Sequence, residues 1–79
     1  MAKDIDLRNL TRVMKVLGFQ EVRRSGSHLI YRHGESGLVA TLPGGRSKVP
    51  MGIAMAIIRQ IENYEISSRE EVLKKLKAA

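Results

Sequence analysis

The sequence has no cysteine, two prolines and three aromatic residues in 79 positions. Without thiols there is no disulfide framework, no thiol nucleophile and no Cys-ligated zinc or iron–sulfur centre. A reducing compartment suits that absence, and a cytoplasmic address is the expectation. Acid is scarce in the middle of the chain, where residues 8–59 hold only Glu21 and Glu35. Two carboxylates that far apart suggest neither an acid–base pair nor an oxygen shell for a cation. Long apolar runs are missing too. The longest uncharged stretch beside a helix pattern, Val49 to Ile58, falls far short of the ~20 residues that span a bilayer. Asp4 and Asp6 stand where a signal peptide would be basic, and no apolar segment follows them. No metal, no cofactor and no membrane contact are expected.

Positive charge is what the chain does have. Fourteen basic residues against eight acidic give a net charge of +6. Residues 1–7 are slightly acidic and residues 60–79 are balanced, so the stretch from Arg8 to Arg59 carries +7. Because the excess is central and not a tail, a polyanion is a reasonable partner for the folded part. A chain this short buries roughly 60% of its unfolded surface, which predicts one domain over residues 1–79, with residues 64–79 as a C-terminal extension.

From Asp4 to Leu17, the apolar residues Leu10, Val13, Met14 and Leu17 fall at i, i+3, i+4 and i+7. That spacing predicts an amphipathic helix, with Asp4 or Asp6 as its cap and Gly18 as its left-handed stop. Three runs rich in β-formers follow: Phe19 to Arg24, His28 to His33 and Leu38 to Leu42. Short Gly- and Ser-bearing turns join them, as an antiparallel meander requires. Arg46 to Val49 reads as a basic loop, and Pro50 suits the first turn of a second helix. Ile53, Ala54, Ile57, Ile58 and Ile61 form its apolar stripe, and it should stop near Asn63. Ser68-Arg69-Glu70-Glu71 fits a capping box opening a third helix, with Val72, Leu73 and Leu76 apolar. The expectation is an α+β fold, α-β-β-β-α, with one three-stranded antiparallel sheet, helices on one face and a short extra C-terminal helix.

The two histidines, His28 and His33, are five residues apart on one strand and so point to opposite faces. His28 follows the Gly26-Ser27 turn, with Arg23, Arg24 and Arg32 close in sequence. An imidazole suits proton transfer near neutral pH, and guanidinium groups hold a phosphodiester and the negative charge that grows on it. These are the minimal parts for metal-free RNA cleavage by 2′-OH attack; a strand-edge histidine among ordinary surface arginines is the alternative. The loop Pro43-Gly44-Gly45-Arg46-Ser47-Lys48 lacks the spacing of a nucleotide-binding P-loop. Arg46, Lys48 and the following helix N-terminus would suit phosphate, or the loop is a solvated turn. Tyr31 could stack a base, although three aromatics do not make a stacking platform.

Leu17-Gly18-Phe19, then Val22-Arg23-Arg24-Ser25-Gly26-Ser27-His28, then Ile30-Tyr31-Arg32-His33, resembles the signature of HicA-type (YcfA-like) toxins. Pro43, the glycine loop, Gly52 and Ile57-Ile58-Arg59-Gln60 follow the same layout, so the resemblance spans roughly residues 5–61. It implies a double-stranded-RNA-binding-domain-like fold and an mRNA interferase, the toxin of a type II toxin–antitoxin pair neutralised by a HicB-type antitoxin. The family's catalytic histidine falls on His28, preceded by Gly26 and Ser27; His33 receives no catalytic role. Two stretches depart from the pattern: Gly44-Gly45, where many relatives carry a histidine, and Gly52-Ile53-Ala54-Met55, where relatives often read Gly-Thr-Leu-Arg. Two other readings remain beside the ribonuclease: a non-catalytic RNA-binding module or inactive relative, and an interaction subunit whose basic face meets an acidic protein.

Overall fold

In the computed structural model, residues 4–78 are described. In chain order they form β1 (Asp4–Asp6), α1 (Leu7–Val16), β2 (Phe19–Ser25), β3 (His28–His33), β4 (Val39–Pro43), β5 (Lys48–Pro50), α2 (Met51–Asn63) and α3 (Arg69–Ala78). Of the two expected caps it is Asp6, not Asp4, that opens the first helix. Asp6 is extended, and its Oδ1 accepts from the amides of Arg8 and Asn9, which fixes the helix start at Leu7. The preceding Asp4-Ile5-Asp6 is a strand. It pairs antiparallel with Lys48-Val49-Pro50, setting Ile5 opposite Val49 and Asp6 opposite Lys48.

Residues Lys48 and Val49 therefore belong to a strand and not to a basic loop. A three-residue strand is too short for periodicity to reveal. What makes this one is the burial of Val49, with Ile5 beside it against the core, and the bond from the Leu7 amide to the Ser47 carbonyl. Pro50 precedes the second helix as its cap residue.

Strands β2, β3 and β4 form the expected three-stranded antiparallel sheet in that order. Along β3, Leu29, Tyr31 and His33 are buried and His28 and Arg32 exposed; along β4, Ala40 and Leu42 are buried and Val39 and Thr41 exposed. The buried set shares one core with Leu10, Val13 and Met14 of α1 and Ala54, Ile57, Ile58 and Ile61 of α2. The helices thus cover one face, and the other is open. Ile53, grouped by its spacing with the buried stripe of α2, is instead 41% exposed. Bonds from His33 N to Leu38 O and from Gly44 N to Ser27 O bracket the β3–β4 ladder.

In β2 the pairing slips at Val22, because Glu21 faces Tyr31 while Arg23 faces Ile30. The extra residue is a β-bulge. It places Glu21 and Arg24, three apart, on the same covered side of the sheet.

Helix α3 buries Val72 completely and seats Leu73 and Leu76 against the core. Its capping serine is as expected, since Ser68 Oγ accepts from the Glu71 amide. Between α2 and α3 the chain turns at Glu65, which sits at φ 58° one residue after the cap Tyr64. The Ile66 amide donates to the Ile61 carbonyl, closing the turn as left-handed helix stops do. A side chain in that conformation costs about 1 kcal/mol relative to glycine. Glu65→Gly is therefore expected to raise the thermal midpoint by roughly 4–8 °C, as read by calorimetry or circular dichroism.

Candidate functional site

The turn between β2 and β3 is two residues long, with Gly26 at φ 58° in its first position. That conformation suits the right-handed twist of a hairpin, and glycine adopts it without strain. It delivers Ser25 and His28 as the closing pair, side by side on the open face. His28 is exposed at the first position of β3, opposite Ser25 on one side and Pro43 on the other. None of the side-chain hydrogen bonds among the described residues engages its ring.

Register places the other candidates. Arg23, Ile30 and Thr41 form the row next to His28, and Gln20, Arg32 and Val39 form the row beyond it. Rows on one face are about 7 Å apart, so of the two arginines on this face of the sheet Arg23 is the nearer to His28 and Arg32 lies about twice as far. The Arg32 guanidinium leans away, lying beside Gly37 in the β3–β4 turn. Arg24 is not on this face. It lies across from the buried Leu29, with its Nη2 3.4 Å from Glu21 Oε2. Arg46 is exposed in the loop before β5, and Lys48 is exposed on β5 itself.

The glycines after Pro43 have a structural reason that sequence reading missed. The Gly44 amide bonds to the Ser27 carbonyl, and a Cβ on Gly44 would stand 2.7 Å from Leu29 Cγ and 3.1 Å from Ser27 O. A Cβ on Gly45 would meet Ser27 Cβ at 3.3 Å. The loop is held hard against the residue that precedes His28, with no room for a side chain at Gly44 unless Leu29 moves, and a tight fit for one at Gly45. Gly44→Ala is expected to cost ~1–3 kcal/mol, seen as a lower urea midpoint with unchanged slope. The signal was present in the pair Gly44-Gly45 following proline, but its partner lies 17 residues upstream.

His33 faces the core and is 7% exposed. Its Nε2 is 3.0 Å from the Leu17 carbonyl, which can only accept, so that nitrogen carries the proton. Nδ1 then accepts from the Ser36 amide at 3.1 Å and lies 2.9 Å from Ser36 Oγ, which in turn accepts from the Leu38 amide. The ring packs tilted on Phe19 at 5.1 Å between centroids. Tyr31 is equally enclosed and has no face free to stack a base; its hydroxyl reaches Glu21 Oε1. Burial first, and the Glu21 carboxylate second, raise its pKa above the ordinary phenol value. Among the described residues no three His, Cys, Asp or Glu side chains cluster as metal ligands, and no helix is long and apolar enough to cross a membrane.

An α-β-β-β-α order with helices on one side of a three-stranded sheet is the double-stranded-RNA-binding-domain-like fold class, here with an added C-terminal helix. The family model described as the HicA toxin of bacterial toxin-antitoxin matches residues 7–62, and the chain belongs to that family. Membership makes it a toxin of a toxin–antitoxin system and implies an antitoxin partner. Comparison with curated proteins and with solved structures gives no match. The matched span stops short of α3.

Proposed function

We propose that this toxin is an endoribonuclease acting on mRNA in the cytoplasm, with His28 as its proton-transfer group. The carrying observation is an exposed, unbonded imidazole at the end of an open sheet face, beside Arg23, in a chain of the HicA family. In this reaction a ribose 2′-OH attacks the adjacent phosphorus while the imidazole takes up its proton. The bond to the 5′-oxygen breaks and that oxygen takes a proton from water, while the imidazolium returns its own to solvent, leaving a 2′,3′-cyclic phosphate and a 5′-hydroxyl end. Arg23, and Arg32 from the next row, hold the phosphate and offset charge on its oxygens as the fifth bond forms. Gly26 and Ser27 shape the approach to His28. Arg24, Arg46 and Lys48 contact flanking phosphates, and a HicB-type antitoxin occludes the face when the pair is assembled.

The test is incubation of purified protein with end-labelled RNA, followed by analysis of product ends. Cyclic phosphate termini from the parent, and none from His28→Ala, support the reading; equal cleavage by both removes His28 from the mechanism. A second reading is a toxin that binds RNA without cutting it. It is favoured by Arg32 leaning toward Gly37 and by Arg24 lying on the far side, which leaves Arg23 as the one sheet arginine in the row next to His28. That reading predicts salt-dependent RNA binding with no products at any protein concentration.

A further inference from the structure

The covered side of β2 carries a second cationic concavity. A cleft of about 410 Å³ opens there between α1 and the sheet. Positions 8, 11 and 15 follow helical spacing, which turns Arg8, Thr11 and Lys15 onto one stripe of α1 lining this cleft. Arg24 lines it from the sheet, with Ser47 at the helix start. Two carboxylates also line it, and both are engaged. Asp6 caps α1, and Glu21 accepts from Arg24 and from the Tyr31 hydroxyl. Among the described residues, ion pairs join Arg24 to Glu21 and Lys75 to Glu71, so Arg8 and Lys15 are cations with no acidic partner.

Strand β2 is an edge of its sheet. Consecutive residues of a strand point to opposite sides, so Arg23 belongs to the His28 face and Arg24 to the cleft. An extended polyanion lying along Arg23 can turn over this edge without crossing another strand. The next cations it meets are Arg24, Lys15 and Arg8. We propose that the cleft between α1 and β2 is a second phosphate subsite for single-stranded RNA, holding the part of the strand that flanks the linkage at His28. The inference rests on the RNA reading of the His28 face and adds Arg8 and Lys15 to it. Ser47 offers a hydroxyl donor to a phosphate oxygen beside the cations, whereas the Thr11 hydroxyl already donates to the Arg8 carbonyl at 3.1 Å. Apart from Leu7, Leu29 and Tyr31 the lining is polar, which suits a nucleic-acid backbone better than the apolar anchors of a protein partner.

The experiment uses the full chain with His28→Ala, so that the RNA stays intact, and fluorescence anisotropy with a labelled single-stranded RNA of about 20 nucleotides. Arg8→Ala/Lys15→Ala is compared with Lys74→Ala/Lys77→Ala, which removes the same charge from α3. Loss of two phosphate contacts should weaken binding about tenfold and flatten the log–log salt slope by about 1.4, with the α3 pair close to the parent. Arg8→Lys/Lys15→Arg, which keeps both charges, should restore affinity, and circular dichroism should show every variant folded. Equal losses in the two alanine pairs, or no loss in the α1 pair, would overturn the cleft while leaving RNA binding in place. Displacement of the RNA by adenosine monophosphate alone would overturn the strand subsite in favour of a free-nucleotide site. If the parent binds no RNA, the reading of the His28 face falls and the cleft falls with it.

Discussion

His28→Ala is expected to lower the rate of RNA cleavage by about 10²–10⁴-fold, the usual contribution of one positioned proton-transfer group. The thermal midpoint should hardly move. The imidazole is exposed and bonds to nothing among the described residues, and substitutions of that kind stay within about 0.5 kcal/mol. RNA affinity should also persist, because the cations proposed to hold phosphate are elsewhere. Cleavage rate, affinity and melting measured on one preparation separate these effects. A variant that loses stability and cleavage in proportion would place His28 in the fold and not in the reaction.

The other histidine should behave in the opposite way. His33→Ala removes the proton donor to the Leu17 carbonyl, the acceptor for the Ser36 amide and the ring packed on Phe19. The part-buried carbonyl and amide left without partners together cost ~1–3 kcal/mol, and the cavity beside Phe19 adds to it. A total of ~3 kcal/mol would lower the thermal midpoint by roughly 12–24 °C in a chain of this size. Cleavage per folded molecule should be unchanged, since His33 points away from the open face. A melting temperature close to the parent's would refute the anchoring role of the ring.

These contrasting roles were half legible in the sequence. Five-residue spacing on one strand separated the two histidines by face, but it did not say which face the helices cover. The deciding information is distributed: Leu29, Tyr31 and His33 go inside because Ala40, Leu42 and the α1 stripe go inside with them. The meander was readable because Gly26, Gly37 and the loop after Pro43 punctuate runs of β-formers. The ladder between β1 and β5 was not. Its strands are three residues long and 41 residues apart, and nothing in Asp4-Ile5-Asp6 announces Lys48-Val49-Pro50.

Among the site residues, the grouping of Arg23, Arg24 and Arg32 around His28 was the natural sequence reading. The structure splits it, since alternation sends Arg24 to the covered side and the bulge at Val22 supplies Glu21 as its partner. Arg8 and Lys15 were visible, with Arg12, as the polar side of an amphipathic helix, but the cleft takes Thr11 in place of Arg12. The helix's relation to β2 depends on a contact that no local pattern encodes.

The outer edge of the sheet sets a limit on self-assembly. The hydrogen-bonded pairs of β3 and β4 fall at Leu38, Ala40, Leu42 and Gly44, so the outward backbone groups belong to Val39, Thr41 and Pro43. Proline has no amide hydrogen, which leaves two donors along this border. An incoming chain would find too few bonds to extend the ribbon, and the positive field of Arg23 and Arg32 would repel a copy of itself. The border along β4 is thereby a poor template for adding a strand, which leaves β2 as the edge of this sheet with the longer run of backbone donors.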